Sequence, residues 1–207
     1  MPSRNVLKID IPESYYHIYA RGNSRRDIFL DESDYATFFN LIRRYLSVEE
    51  SKTLTGELYS NYHDKFQLLC FCLMPNHFHL LVYQKEEGVM TAFMRGVLTS
   101  YSRYFNKKYD MSGPLLESRY KASLISNNSY LEHITRYIHL NPQNWQSYSY
   151  SSLPYYLGKA GADWVEPKKI LDLFDSSQDY LTFVKDYDAN KEMLQQLKYE
   201  LANPTTA

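Results

Sequence analysis

Cysteine and glycine are scarce in this chain of 207 residues, at two and seven, and no run of roughly 18 apolar residues occurs anywhere in it. The two cysteines, Cys70 and Cys72, stand two positions apart. On a strand such side chains run parallel and do not meet, which excludes an easy bridge and with it a disulfide framework. Without a long apolar run there is no candidate membrane span, and residues 1–11 mix charge and proline with no apolar core. The expectation is a soluble cytoplasmic protein, nucleoid-associated if it binds DNA, with no membrane partner. Excess charge is missing too: the net charge of −1 speaks against a simple electrostatic nucleic-acid binder.

Tyrosine is what the chain has instead, 21 of them against seven glycines. A phenol joins an apolar ring to a polar tip, which suits half-buried packing first and stacking on unpaired bases second. The charge is unevenly spread. Residues 1–160 hold 18 basic and 15 acidic residues, whereas residues 161–207 hold five and nine, and all six histidines fall in the first part. An anionic ligand is therefore expected on residues 1–160, with the acidic C-terminal segment as a packing or regulatory element.

Hydrophobic periodicity orders the chain as β, α, β, β, α, β, α. Residues 15–20 read as a strand and are followed by the basic turn Arg21-Gly22-Asn23-Ser24-Arg25-Arg26. Asp31 or Ser33 can cap a helix whose apolar positions Tyr35, Phe38, Phe39, Ile42, Tyr45 and Leu46 recur at helical spacing. Residues 51–64 are polar and irregular, a loop or short hairpin. Residues 66–74 and 78–83 are apolar strands around Pro75-Asn76, and an amphipathic helix spans about 89–105. Residues 115–126 can supply a further strand, with Arg119 and Lys121 on one face. A helix starts at Ser129, where Ser129 and Glu132 have capping-box spacing, and Pro142 ends it. This order predicts an α+β fold, a ferredoxin-like or RRM-like antiparallel sheet with helices on one or both faces, over residues 1–146. Residues 147–207 are expected to add a Tyr/Ser-rich connection, helices at 167–174 and 178–201, and a loose tail at 203–207.

The most informative stretch for chemistry is Leu73-Met74-Pro75-Asn76-His77-Phe78-His79-Leu80-Leu81-Val82. On a strand, His77 and His79 share one face while Phe78, Leu80 and Val82 anchor the other. Two imidazoles converging in this way form a plausible divalent-metal site that lacks at least one further ligand, or simply a satisfied pair on a sheet surface. The helix from Ser129 is the place to seek that ligand: Tyr137 and Asn141 are four apart, with His133 and Tyr130 along the same stripe and Leu131, Ile134 and Ile138 on an adjacent apolar one. Packing at the rim of the core explains a tyrosine at 137 equally well.

Four ordered segments resemble the IS200-like transposase family, and within it the REP-associated tyrosine transposases. They are Tyr16-His17-Ile18-Tyr19-Ala20-Arg21-Gly22-Asn23, the stretch from Leu73 to Leu81, Ser118-Arg119-Tyr120-Lys121-Ala122, and Arg136-Tyr137-Ile138-His139-Leu140-Asn141-Pro142. The resemblance covers about residues 12–158. It implies an HUH endonuclease site in which His77 and His79 bind Mg2+ or Mn2+, Asn141 completes the metal site, and Tyr137 is the nucleophile, with Tyr130 as the runner-up. It also implies metal-dependent cleavage and strand transfer of single-stranded or hairpin DNA through a 5′-phosphotyrosine, typically at short repeated palindromes. Arg21, Arg25, Arg26, Arg119 and Lys121 are then the candidate phosphate contacts, and His133 or bulk water takes the phenolic proton. A monomer with the tyrosine in cis is favoured over a homodimer. After Pro142 the chain reads Gln143-Asn144-Trp145, where the family commonly has a small turn containing a basic residue.

Two rival readings carry distinct expectations. A structural zinc module would use Cys70, Cys72, His77 and His79 on one sheet face, with Cys72 opposite His79 across a two-residue turn. A domesticated sequence-specific DNA-binding protein would keep the fold and bind without cleaving.

Overall fold

The computed structural model describes residues 10–186. In chain order they form β1 (Ser14–Arg21), a 3-10 turn (Asn23–Arg25), α1 (Glu32–Leu46), β2 (Phe66–Met74), β3 (His77–Gln84), α2 (Val89–Lys108), β4 (Lys121–Ile125), α3 (Asn128–His139), α4 (Leu153–Tyr156), α5 (Lys168–Leu171) and α6 (Ser177–Lys185). The strands make one antiparallel sheet in the order β2-β3-β1-β4. This is the expected ferredoxin-like α+β arrangement.

Strand alternation sorts the side chains into two cores. On one face Tyr16, Ile18 and Ala20 of β1, Phe78, Leu80 and Val82 of β3, and Phe66, Leu68, Phe71 and Leu73 of β2 are buried beneath α1 and α2. On the other, Cys70, Cys72, Leu81 and Ile125 are covered by Leu131, Ile134 and Ile138 of α3. The same second core takes in Trp145, Leu153, Tyr156, Ile170, Tyr180 and Val184, so residues 145–184 complete the layer that holds α3 down. A bulge between Leu68 and Cys70 inserts Leu69 and lets β2 follow both cores.

The β2–β3 hairpin presents the central histidines. Pro75-Asn76 forms its two-residue turn, giving the register Met74 opposite His77 and Cys72 opposite His79. The loop after β1 ties that turn down: Gly22 N–H donates to the Asn76 carbonyl at 2.9 Å, and the Ile28 and Phe29 amides donate to the Pro75 carbonyl at 2.7 and 3.0 Å. Glycine is required at 22 because a Cβ there would collide with the Arg26 carbonyl oxygen. The outer margin of β2 is also occupied. Leu73 N–H donates to the Tyr150 carbonyl and Ser152 N–H to the Phe71 carbonyl, each at 2.9 Å, around a bridge between Cys72 and Ser151.

Several boundaries differ from expectation. The fourth strand is only Lys121–Ile125. Residues 115–120 run irregularly, with a bridge from Leu116 to Gly22 and a bond from Glu117 N–H to the Arg21 carbonyl. The cap of α3 is Asn127, whose Oδ1 accepts the Tyr130 amide at 2.7 Å, so the helix begins before Ser129 and without the proposed box. Asp31 caps α1 as predicted, in a reciprocal box with Asp34. Of residues 167–174 only Lys168–Leu171 are α-helical. The helix expected at 178–201 is α6 as far as Lys185, and its remainder, like the expected tail at 203–207, lies outside the described residues.

Candidate active site

The sheet face under α3 carries His17 and Tyr19 from β1 and His77 and His79 from β3. Register sets Tyr19 beside His79 and Arg21 beside His77. The His77 and His79 rings lie 5.1 Å apart and perpendicular. Burial of Leu131, Ile134 and Ile138 orients α3 so that Tyr137, half-buried, reaches over the sheet. Its ring stands 5.3 Å from that of His79 and 6.1 Å from that of His17, edge-on to both. Asn141 follows the end of α3, where its amide bonds the Ile138 carbonyl at 3.4 Å, and its Oδ1 lies 3.0 Å from His77 Nε2.

That last contact defines a donor pair. Asn76 Nδ2 donates to the Arg25 carbonyl at 3.3 Å, which turns Asn76 Oδ1 toward His77 Nδ1 at 2.6 Å and assigns the ring proton to Nδ1. His77 Nε2 and the Asn141 amide are thereby joined by a hydrogen bond that links the hairpin to the end of α3. Burial leaves the His77 pKa below its ordinary value, with the Asn141 hydrogen bond opposing the shift and the Arg21 charge adding to it. A ring nitrogen and an amide oxygen at this separation have the spacing of neighbouring ligands of a cation that takes donors at about 2.1 Å in octahedral geometry, which stand about 3.0 Å apart. The residues present therefore fit a hard divalent ion. Tyr137 is pushed above its ordinary pKa by burial, while Asn141 and Arg21 pull it back.

The sequence matches the family model "Transposase IS200 like" over residues 10–141. The chain belongs to the IS200-like transposase family. No curated protein matches it. Among solved structures it is similar to the REP-associated tyrosine transposase bound to a REP hairpin, with a TM-score of 0.54 and 16% identity over 77% of this chain and 89% of that one. A candidate transposase from Deinococcus radiodurans matches with a TM-score of 0.38 and 16% identity over 67% of this chain and 95% of that one.

Within this IS200-like transposase the four central residues expected from sequence, His77, His79, Tyr137 and Asn141, come together. Tyr130 does not join them: it sits seven positions before Tyr137 on α3, about 10 Å along the axis, and packs against the second core. Arg21 ends β1 next to His77, and Lys121 Nζ lies 5.9 Å from the centre of the Tyr19 ring. Arg25 is exposed in the loop after β1. Arg26 is partly spent on structure, since its Nη2 donates to the Pro114 carbonyl at 2.7 Å. Arg119 lines a groove of about 890 Å3 between α2 and residues 113–120, together with Arg95 and Arg103. Sequence reading missed those two arginines, whose signal was an exposed α2 face also carrying Thr99 and Ser102.

The zinc alternative fares poorly. Cys72 does lie opposite His79, but Cys70 Sγ is 3.3 Å from His139 Nε2 and Cys72 Sγ is 3.7 Å from Met74 Sδ. Cys70 and Cys72 are thus engaged with neighbours other than His77 and His79. Among the described residues no group of three or more His, Cys, Asp or Glu could hold a metal ion. His133 loses ground as a proton acceptor because Arg136 Nη2 lies 2.8 Å from its Nδ1 and occupies that lone pair. His139 is a separate, fully buried group. Its Nδ1 meets the Tyr180 hydroxyl at 2.7 Å and its Nε2 the Ser152 hydroxyl at 2.8 Å, and burial lowers its pKa to about 3.

Proposed function

We propose that this transposase cleaves and rejoins single-stranded DNA at hairpin or palindromic repeats, with Tyr137 as the nucleophile and His77, His79 and Asn141 as the holders of Mg2+ or Mn2+. The observation that carries the reading is the convergence of His77 Nε2 and Asn141 Oδ1, 3.0 Å apart, beside a phenol edge-on to His79. A bound divalent ion would neutralise phosphate charge and polarise the scissile bond. The remaining work belongs to the chain. Tyr137, rigidly seated on α3, presents its hydroxyl for in-line attack on phosphorus, and Arg21 favours loss of the phenolic proton. The bond from phosphorus to the 3′ oxygen breaks, the 3′-OH leaves with a proton, and a 5′-phosphotyrosine remains. Attack by another 3′-OH reverses the exchange and returns the phenol, so no nucleotide hydrolysis is needed.

A hairpin substrate is supported by the solved relative carrying a REP hairpin, and phosphate contacts are assigned to Arg21, Arg25, Arg119 and Lys121, with a smaller share for Arg26. The half-covered position of Tyr137 on its own sheet supports catalysis in cis by a monomer. Incubation with a labelled single-stranded hairpin and Mn2+ followed by denaturing electrophoresis tests the proposal. A covalent adduct that disappears in Tyr137→Phe and persists in Tyr130→Phe is expected. Binding with no adduct in the unmodified protein would refute cleavage, and loss only in Tyr130→Phe would move the nucleophile.

A further inference from the structure

The helix that carries Tyr137 ends at His139, which is fully buried. Two residues along a helix correspond to roughly 200° of rotation. Tyr137 therefore leans over the sheet toward His79, while His139 leaves the same turn on the far side, between the rings of Tyr156 and Tyr180. There it meets two hydroxyls that both lie beyond the family-matched residues 10–141. His139 Nε2 is 2.8 Å from Ser152 Oγ, and His139 Nδ1 is 2.7 Å from the Tyr180 hydroxyl. Ser152 is itself fixed to the sheet, since Phe71 N–H of β2 donates to Ser152 Oγ at 2.8 Å and Ser152 N–H donates to the Phe71 carbonyl at 2.9 Å. Arg136, the residue before Tyr137, makes a further tie to α6. Its Nη1 donates to the Phe183 carbonyl at 3.2 Å, and its guanidinium lies 4.2 Å from the centre of the Phe183 ring.

These bonds fix what packing does not. Leu131, Ile134 and Ile138 press α3 onto the sheet, but apolar contact is non-directional and tolerates roll and slide. Hydrogen bonds hold distance and angle. The proposed site has its two halves on different elements, His77 and His79 on β3, Tyr137 and Asn141 at the end of α3. The bridge from Phe71 through Ser152 to His139 runs from the sheet to that end of the helix, and Tyr180 braces the same imidazole from α6. We propose that Ser152 and Tyr180 are positioning residues which, through His139, set the place of Tyr137 over the sheet and so its approach to the scissile phosphate. Misplacing a reacting group by about 1 Å slows a reaction by about 100-fold.

This inference rests on Tyr137 being the nucleophile. Its readout is the first-order rate constant of adduct formation, with protein in saturating excess over a labelled single-stranded hairpin and Mn2+, a quantity to which unfolded molecules do not contribute. Tyr180→Phe, which keeps the ring, should slow this step about 10-fold, and Ser152→Ala about 10- to 100-fold, with hairpin affinity unchanged. Val184→Ala is the control: it trims a side chain of α6 that is equally buried but makes none of these bonds, so the urea midpoint should fall while the rate constant holds. Parental rate constants in Tyr180→Phe and Ser152→Ala overturn the proposal. So does a Val184→Ala protein slowed as much as Tyr180→Phe, or a loss confined to hairpin affinity. If the parent forms no adduct, the cleavage reading fails and takes this one with it, whereas a parental adduct formed equally fast by the variants sinks this one alone. Tyr180→Phe decides the matter if Ser152→Ala does not fold.

Discussion

The two faces of the sheet come from the same strands and differ by a single residue step, yet one carries packing alone and the other combines a second core with the residues of the proposed site. Under α1 and α2 the sheet contributes aliphatic and aromatic side chains. Under α3 it contributes His17, Tyr19, His77 and His79, and the helix adds Tyr137. Reactive groups gathered on one side can be oriented by hydrogen bonds while the dry side supplies rigidity. The division teaches that stability and activity should be separable by substituting sequence neighbours.

Phe78 and His79 are the sharpest such pair. His79→Ala is expected to cut adduct formation at least a hundredfold at a stability cost of about 1–3 kcal/mol, from the hydrogen bond to buried His17 that it removes. Phe78→Ala should cost about 3–5 kcal/mol of stability, seen as a large fall in that midpoint, while the fraction still folded keeps its Mn2+ affinity. Reversed results would mean that the faces are not divided by role. Asn141→Ala should weaken Mn2+ roughly tenfold or more, on the scale by which lost site contacts reduce metal affinity, and unchanged titration curves would remove Asn141 from the ligand set.

The second face also makes stability depend on pH. His139 is neutral when folded, with a pKa near 3, and ordinary, near 6.5, when unfolded. Between those values the unfolded chain takes up a proton that the folded one refuses. Its contribution is therefore fully present above pH 6.5 and declines as pH falls, by about 1.4 kcal/mol per unit. Urea denaturation at pH 7 and pH 5 should show this, and His139→Gln should reduce the slope, with the share of His17, whose pKa burial also lowers to about 3, remaining. The smallest effect is predicted for the groove beneath Arg95, Arg103 and Arg119. If DNA reaches it, Arg119→Ala should lower the salt dependence of binding by about one phosphate contact, whereas an unaltered slope would place the strand elsewhere.

Strand periodicity made β1, β2 and β3 readable, and with them the hairpin register that pairs Cys72 with His79. Local signals failed where tertiary contacts decide. Residues 115–120 are apolar enough for a strand but are held by Gly22 and Arg21 instead, and Asn127 captures the Tyr130 amide before Ser129 can cap. The four residues of the proposed site, His77, His79, Tyr137 and Asn141, were candidates from motif and spacing, and the fold places them near one another. His17 could not be given a role, because its partner lies 62 positions away and only sheet pairing brings the two rings together. His139 was equally silent for the same reason, its partners Ser152 and Tyr180 being remote.

The short pairing of Tyr150 and Ser152 along β2 bears on how the molecule behaves in a crowd. An unpaired strand margin is a template on which another chain can grow, and hydrophobic margins seed aggregates. In this sheet the long apolar β2 would be the dangerous rim, and its middle is already occupied by the chain's own return. The rim left over is β4, five residues with Lys121 at its start, too brief and too polar an invitation for a second molecule to extend.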